Sequence, residues 1–440
     1  MPTNGEEALY EIYRKHPNVC IDSRKVRSGD LFVGLAGTQV QGNRYAAKAL
    51  AAGAAFAIVD DPSVVVAGDG RYLLVPDSLV ALQDLATEHR RRHGMPVLAI
   101  TGSNGKTTTK ELVCAVMARR YAVHATPGNY NNHLGLPLTV LATPPETEMT
   151  ILEMGANHQG EIAELCRIGR PTHGLITNVG EAHLEGFGGK EGVIAGKGEL
   201  FSWLATNKGV AFVNTDEDHL ESMAAGLNRI IRYHDSEHPS KEVPGMEIRV
   251  YATSPRIEVG FLDEKGALLR AAVNLSGRHN LQNVKSAVAV GKYFKVPGAE
   301  IAAALESYRS DNHRSQKMEH RGLSFYWDAY NANPSSVEAA LTAFHRAHDP
   351  LASVVILGEM LELGGAAPAA HRRAALRAGQ VAETVLLVGP AMAETAREFG
   401  RPWFKDSAEL SEWFWRQSWA GKTIFVKGSR GNKLERLLEA

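Results

Sequence analysis

Residues 97–110 read VLAITGSNGKTTTK. VLAIT is an unbroken apolar run, the pattern of a strand buried on both faces. A glycine turn follows, and a helical pattern runs from Lys106 to about Arg119. Strand, glycine turn and helix in that order are the context a phosphate-binding loop requires. Gly102 and Gly105 let the N–H groups of Ser103, Asn104 and their neighbours face one concavity, and the start of the helix adds the positive end of a dipole. Lys106 is placed to reach the outer phosphates of ATP, with the Thr107 hydroxyl next to a Mg²⁺ ion and Thr108 beside it. The loop is a variant, because Ile100 stands where the usual spacing has its first glycine. A glycine turn that merely ends a strand is the competing reading; the register of strand, GKTT and helix favours nucleotide binding.

Outward from this loop the chain keeps alternating. MTILEM (149–154), GLITNV (174–179) and GVAFVN (209–214) read as further strands, with helices between the first of them. That alternation predicts a parallel sheet covered on both faces. Met246 to Leu275 reads as an antiparallel extension, closed by helices from Asn280 to Tyr293 and from Ala299 to Tyr308. Before the loop, short strands at LFVGLAG, AAFAIVD and YLLVP and a helix from Ser78 to Arg92, capped by Ser78, form a smaller α/β unit. After it, SFYWDAY, VVILGEM, TVLLVG and TIFVKGS predict a second, Rossmann-like sheet. The fold class is therefore α/β in three domains, 1–95, 96–310 and 311–440. A second Gly-Lys-Thr, at 421–423, precedes a strand and reads as a turn.

Composition narrows the function. The 440 residues suit two to four domains, and 44% hydrophobic against 22% charged residues is ordinary for a globular chain. With 48 basic and 49 acidic side chains, the net charge of −1 argues against a protein held to nucleic acid or an anionic membrane by its overall field. No apolar run approaches the ~20 residues of a membrane span. MPTNGEEALYEIYRKHP lacks the basic start and apolar core of a signal peptide. Cys20, Cys114 and Cys166 are widely spaced and odd in number, supporting neither a disulfide framework nor a zinc site. A cytoplasmic protein is expected.

Three further residues invite chemistry. Glu153 ends a strand on the side where ligands collect in open α/β sheets, and could hold Mg²⁺ or cap the helix that follows Gly155. His183, in NVGEAH, would be an unusual magnesium ligand and by itself reads better as a surface or hydrogen-bonded histidine. Lys197, in AGKGE, could meet phosphate oxygens or simply be solvated.

Several motifs together resemble the Mur ligase family, which adds amino acids or peptides to UDP-N-acetylmuramoyl precursors of peptidoglycan. They are TGSNGKTTTKELV, NYNNHLGLPLTVL (129–141), EMGANHQGEI (153–162), NVGEAHLEGFG (178–188) and GRHNLQN (277–283). Within the family, DSRKVRSGDLFVGLAG (22–37), DAYNANPSS (328–336), LGEMLELG (357–364) and VKGSRGNKLE (426–435) are similar to the branch that adds D-alanyl-D-alanine. The resemblance implies ATP on Lys106 and the loop amides, with Thr107, Glu153 and His183 around Mg²⁺. It implies a carbamylated Lys197 holding a second Mg²⁺, and Asn280 and Asn283 on the adenine side. Asp22, Ser23 and Arg24 would hold the UDP-sugar in the first domain, and Asn129 and Asn132 the muramoyl peptide. Asp328, Asn331, Lys427 and Arg430 would close over the nucleotide and the incoming dipeptide, and Arg314 would contact ATP.

The sequence departs from the family at Glu359, where Asp is usual, and at Gln41-Gly42-Asn43-Arg44, which stands where Asp-Gly-His is more common and lacks its UDP-contacting residues. Asp311-Asn312-His313-Arg314 is similar to the signature of the diamino-acid-adding branch, but lies ahead of the third domain's first strand and has His for Pro. The implied substrates are UDP-N-acetylmuramoyl-tripeptide and D-alanyl-D-alanine, joined through an acyl phosphate by a monomeric enzyme. A ligase adding one amino acid, a diamino acid to the muramoyl dipeptide or glutamate to folate, is the alternative within this chemistry. A nucleotide-dependent regulatory protein is the alternative outside it.

Overall fold

The computed structural model describes residues 4–37, 40–180, 184–236, 246–310 and 314–439. Short apolar runs joined by amphipathic helices favour parallel pairing, because each crossover needs a helix to bring the chain back. The first sheet is parallel throughout, β1 (Val19–Cys20), β2 (Leu31–Val33), β3 (Phe56–Val59) and β4 (Tyr72–Leu74) in that order. The second contains β5 (Val97–Thr101), β6 (Val123–Ala125), β7 (Met149–Glu153), β8 (His173–Ile176), β9 (Val210–Asn214) and β10 (Ile230–Asp235). It continues through β11 (Met246–Ala252), β12 (Ile257–Leu262) and β13 (Leu268–Val273), with spatial order β13-β12-β11-β10-β9-β8-β5-β7-β6. β12 is antiparallel to both neighbours, which is the expected extension.

The third sheet has β14 (Gln316–His320), β15 (Leu323–Asp328), β16 (Ser353–Gly358), β17 (Thr384–Val388), β18 (Trp403–Phe404) and β19 (Thr423–Lys427), ordered β14-β15-β19-β16-β17-β18. It begins one strand earlier than SFYWDAY suggests. QKMEH is too polar to read as a strand, yet it pairs antiparallel with β15 at the sheet edge, where one side of the ladder is left to solvent. Gly421 and Lys422 lie in the turn before β19, as expected.

β5, β7 and β9 are buried along their whole length, which is why they read as continuous apolar runs. Below β5, Val97 and Ala99 share a core with Leu82 and Leu85 of the helix Ser78–Arg91 and with Leu31 and Ile58 of the first sheet. The opposite face packs Leu98 and Ile100 against Leu112 of the helix Lys106–Met117 and Val284 of the helix Arg278–Tyr293. Ser78 is not the cap of its helix. Asp77 holds the extended φ of −151° and accepts from the N–H groups of Leu79 and Val80, while the Ser78 N–H is taken by Asp60.

The strand order reverses at β5, with β7 and β6 on one side and β8 onward on the other. Such a switch point opens a crevice at the carboxyl ends of the strands, where the glycine loop emerges. β8 stops at Ile176, short of the expected Val179, because Thr177 and Asn178 turn aside to hold that loop.

Candidate active site

The loop geometry depends on two glycines. Gly102 has φ +137°, and a Cβ there would lie 2.0 Å from the Thr177 hydroxyl. Gly105 has φ +80°, and a Cβ would lie 2.4 Å from Asn283 Oδ1. Any side chain would push the loop off its supports. Those supports are specific: Thr177 Oγ1 donates to Asn104 O at 2.6 Å, and the Asn104 N–H donates to Asn178 Oδ1 at 3.0 Å. Gly105 caps the helix Lys106–Met117 without any side-chain bond, so its first N–H groups are available to an anion.

Lys106 Nζ donates to the carbonyls of Gly102, at 2.7 Å, and Ser103, at 3.2 Å. Enclosure in the site lowers its pKa to about 8, a shift that Glu153 opposes and Arg314 reinforces. Glu153 is 2% exposed. Its Oε1 accepts from Thr107 Oγ1 at 3.1 Å and from Asn131 Nδ2 at 2.8 Å. Its Oε2 is buried without a hydrogen bond, and the Lys110 ammonium stands 3.8 Å away. A buried carboxylate oxygen left open beside a threonine hydroxyl suits a hard cation that completes its shell with phosphate oxygens and water. Among the described residues no three His, Cys, Asp or Glu side chains converge on one point. His183 lies outside the described residues.

Lys197, on the helix Lys190–Thr206, is 1% exposed. Its Nζ donates to Ala156 O at 3.2 Å and lies 4.9 Å from the centre of the Phe187 ring. Burial first, and then the charge of Lys106, lower its pKa to about 7. It is a buried amine, not a solvated lysine.

The crevice is a cavity of about 640 Å³ lined from both large sheets. Asn280 and Asn283 occupy the first turns of the helix Arg278–Tyr293: Asn283 Nδ2 donates to Asn280 Oδ1 at 3.2 Å, and Thr109 Oγ1 to Asn283 Oδ1 at 3.0 Å. From the third sheet, the buried Lys427 Nζ donates to Asp328 Oδ2 at 2.6 Å and to Asn331 O at 3.1 Å. Arg314 lies over the Tyr330 ring at 3.9 Å, and Arg430 approaches the same ring at 5.7 Å. Asn129 and Asn132 also line the cavity, but Asn132 spends its Oδ1 on the N–H groups of Leu134 and Gly135.

Several participants are not among the residues that the sequence singles out. Asn131, next to the chosen Asn132, is the residue on Glu153; nothing in NYNNH separates the two before the backbone direction is known. Asn333 and Ser335 reach across to the phosphate loop, with Asn333 Nδ2 donating to Asn104 Oδ1 at 2.8 Å and Asn104 Nδ2 to Ser335 Oγ at 3.0 Å. Their signal was the DAYNANPSS motif itself. His279 also lines the cavity, and burial lowers its pKa to about 4, so it is a neutral ring at pH 7. Glu217 lines it too, its carboxyl raised by burial to about 7 against the pull of Lys285.

The residues expected to hold the UDP-sugar are not brought to this cavity. Arg24 makes a two-pronged pair with Asp22, at 2.9 and 2.8 Å, on the exposed surface of the first unit, with Ser23 between them. Asn43, in the atypical Gln41-Gly42-Asn43-Arg44 segment, is 3% exposed and tied to Asp60 through both ends of its amide. Its work is structural. Glu359 likewise accepts from the Ala391 N–H at 2.8 Å, away from the cavity.

Three family matches cover this architecture: the Mur ligase family catalytic domain over residues 16–90, the Mur ligase middle domain over 100–291, and the Mur ligase glutamate ligase domain over 313–430. The UDP-N-acetylmuramoyl-tripeptide–D-alanyl-D-alanine ligase of Bacillus subtilis (strain 168) is 33% identical over 434 residues, spanning 96% of this chain and 92% of its own. The chain belongs to the Mur ligase family. Among solved structures, MurF from Acinetobacter baumannii superposes with a TM-score of 0.84 at 28% identity, covering 96% of this chain and 93% of that one. MurF ligase from Thermotoga maritima in complex with ADP gives 0.81 at 26% identity, covering 96% of each. The three sheets are thus the three-domain Mur ligase fold. No helix among the described residues is long and apolar enough to cross a membrane.

Proposed function

We propose that this Mur ligase joins D-alanyl-D-alanine to the terminal carboxylate of UDP-N-acetylmuramoyl-tripeptide, driven by ATP, in peptidoglycan precursor synthesis. One observation supports the reading most: the phosphate loop and the DAYNANPSS segment meet over one cavity, in a chain alike over nearly its full length to ligases named for that reaction. A carboxylate is a poor electrophile. Transfer of the γ-phosphoryl group to it gives an acyl phosphate, which the neutral dipeptide amine attacks with loss of phosphate.

The chain's contribution is to bring two anions together and exclude water. Lys106 and the N–H groups at the start of its helix bind the phosphates, the Ser103 and Asn104 N–H groups being spent on Asn178, while Asn280, Asn283 and Arg314 orient the nucleotide. Asp328, Asn331, Lys427 and Arg430 receive the dipeptide from the third domain. Asp22, Ser23 and Arg24 hold the UDP-sugar, and Asn129 and Asn132 the peptide. Thr107 and Glu153 hold Mg²⁺, with His183 completing the set. Bound there, the ion neutralises phosphate charge and polarises the transferring group. Lys197, its pKa lowered to about 7, is neutral in about half of the molecules at pH 7 and can then add CO₂ with loss of a proton; the resulting carbamate would hold a second Mg²⁺. The enzyme acts as a cytoplasmic monomer of domains 1–95, 96–310 and 311–440.

The deciding experiment follows ADP release with UDP-muramoyl tripeptide, with and without D-alanyl-D-alanine, beside parallel assays of diamino acids and of folate with glutamate. Release that needs both muramoyl tripeptide and D-alanyl-D-alanine supports the reading. Preference for a single amino acid, or hydrolysis indifferent to both substrates, refutes it.

Two further outcomes are expected. Lys197→Ala should lose activity and regain it with short carboxylic acids, and unaltered activity without rescue would refute the carbamate. ATP and muramoyl tripeptide together should compact the protein in small-angle scattering, because ligands filling the cavity would hold the third domain on the phosphate loop, in the arrangement the Asn333 and Ser335 bonds to Asn104 already mark. An unchanged scattering curve would count against closure.

A further inference from the structure

At the opposite end of the central sheet, where β5, β8 and β9 begin, lies a second cavity of about 930 Å³. The length of β5, roughly 16 Å at about 3.3 Å per residue, separates it from the phosphate loop. Arg170, Lys208, Arg229 and Lys295 line it together with the rings of Trp203 and Phe294, and no Asp or Glu does. Among the described residues, none of these four cations has a carboxylate partner within 4.0 Å; Arg229 reaches only the Tyr293 hydroxyl, at 3.5 Å. The aromatic wall is fixed in place. Trp203 Nε1 donates to Pro171 O at 3.1 Å, and Phe294 packs on His173 at 4.9 Å and Tyr293 at 5.0 Å between ring centres. The Arg170 guanidinium stands 5.9 Å from the centre of the Trp203 ring.

A simpler account covers part of this. Arg170, Lys208 and Lys295 sit in left-handed turns, with φ of +43°, +55° and +58°, just beyond the ends of the helices Glu161–Gly169, Lys190–Thr206 and Arg278–Tyr293. A cation is favoured at each helix C-terminus. Yet glycine or asparagine meets that backbone with less strain, and Arg229 enters β10 from a loop, not from a helix end. The helix ends also give no reason for four cations and a ring wall to converge on one concave space. Like charges without partners repel one another, and a concave wall concentrates their field on whatever enters.

We propose that this cavity binds a nucleotide-class anion, its phosphates on Arg170, Lys208, Arg229 and Lys295 and its base against Trp203 and Phe294. It is a second ligand site, distinct from the ligase cavity. The test is calorimetric titration of GDP into the full chain already saturated with ADP and Mg²⁺. A binding event beyond ADP is expected, weakened by about tenfold or more in Lys208→Glu/Arg229→Glu as the local field reverses. Pyrophosphate should bind more weakly than GDP by about tenfold, since it cannot stack. Both substituted side chains are exposed, so the double variant should keep its ligase kcat/KM within about twofold; that retention shows it is folded and separates this site from the active one. No further event at millimolar GDP, or an event unchanged in the double variant, would overturn the proposal. Pyrophosphate binding as tightly as GDP would overturn the role of the rings.

Discussion

Lys106→Ala is expected to lower kcat by about 10²–10³-fold, the effect of removing one preorganised charge donor from a water-poor site. The ammonium hangs from the Gly102 and Ser103 carbonyls inside the loop, already aimed at the space the phosphates would fill. It therefore needs no reorganisation when charge develops on the transferring group. Its pKa of about 8 sets a pH signature as well. Below that value the side chain is charged and can bind phosphate; above it the charge is lost, so kcat/KM for ATP should fall as the pH rises through about 8 in the free enzyme. Lys197 works in the opposite sense. Its amine becomes available to CO₂ only as the pH rises through about 7. The two limbs together give a bell-shaped profile, and the falling limb should shift in Lys106→Arg, which stays charged. ADP release across pH 6 to 9 reads both, and undiminished turnover by Lys106→Ala would refute the assignment.

Lys427→Met is expected to destabilise the third domain by about 3–5 kcal/mol, the cost of leaving one member of a buried ion pair unpaired. Lys427 is 2% exposed in its side chain and Asp328 13%, with 2.6 Å between Nζ and Oδ2. Removing the lysine leaves a mostly buried carboxylate at the cavity wall without its partner. Asp328→Asn in the same chain should restore much of the loss, because the charge is then gone from both sides. Urea unfolding of the single and double variants measures this, and equal stabilities would show that the pair is not effectively buried. Both variants should also be poor ligases, since Lys427 fixes the Asn331 carbonyl at the cavity wall.

Much of the site was legible because its chemistry is local in sequence. A phosphate loop is one strand, one turn and one helix, so Gly102, Gly105, Lys106 and Thr107 could be read from their spacing alone. Glu153 followed from a simple rule about strand ends. Lys197 could not be read this way: a lysine among glycines looks solvated, and only the packing of its helix against Ala156 and Phe187 makes it a dry amine. Asn131 was missed for a related reason, since adjacent asparagines differ in role only through the direction in which the backbone points them. Ser78 reads as the cap in sequence, but Asp77 beside it is an equally good one, and a dihedral angle decides for Asp77. What replaces Asp-Gly-His is not legible in sequence; in the fold Asn43 ties its own segment to Asp60.

By itself the sequence determined the α/β class, the three sheets and the nucleotide loop, because period, glycine placement and chain order act over a few residues. Tertiary structure alone decided that Asn333 and Ser335 meet Asn104, that Glu153 keeps one oxygen open, and that four cations gather around Trp203 and Phe294. Those contacts join residues far apart in the chain, up to 231 positions for Asn104 and Ser335. Burial and proximity on that scale come into being only when the sheets pack.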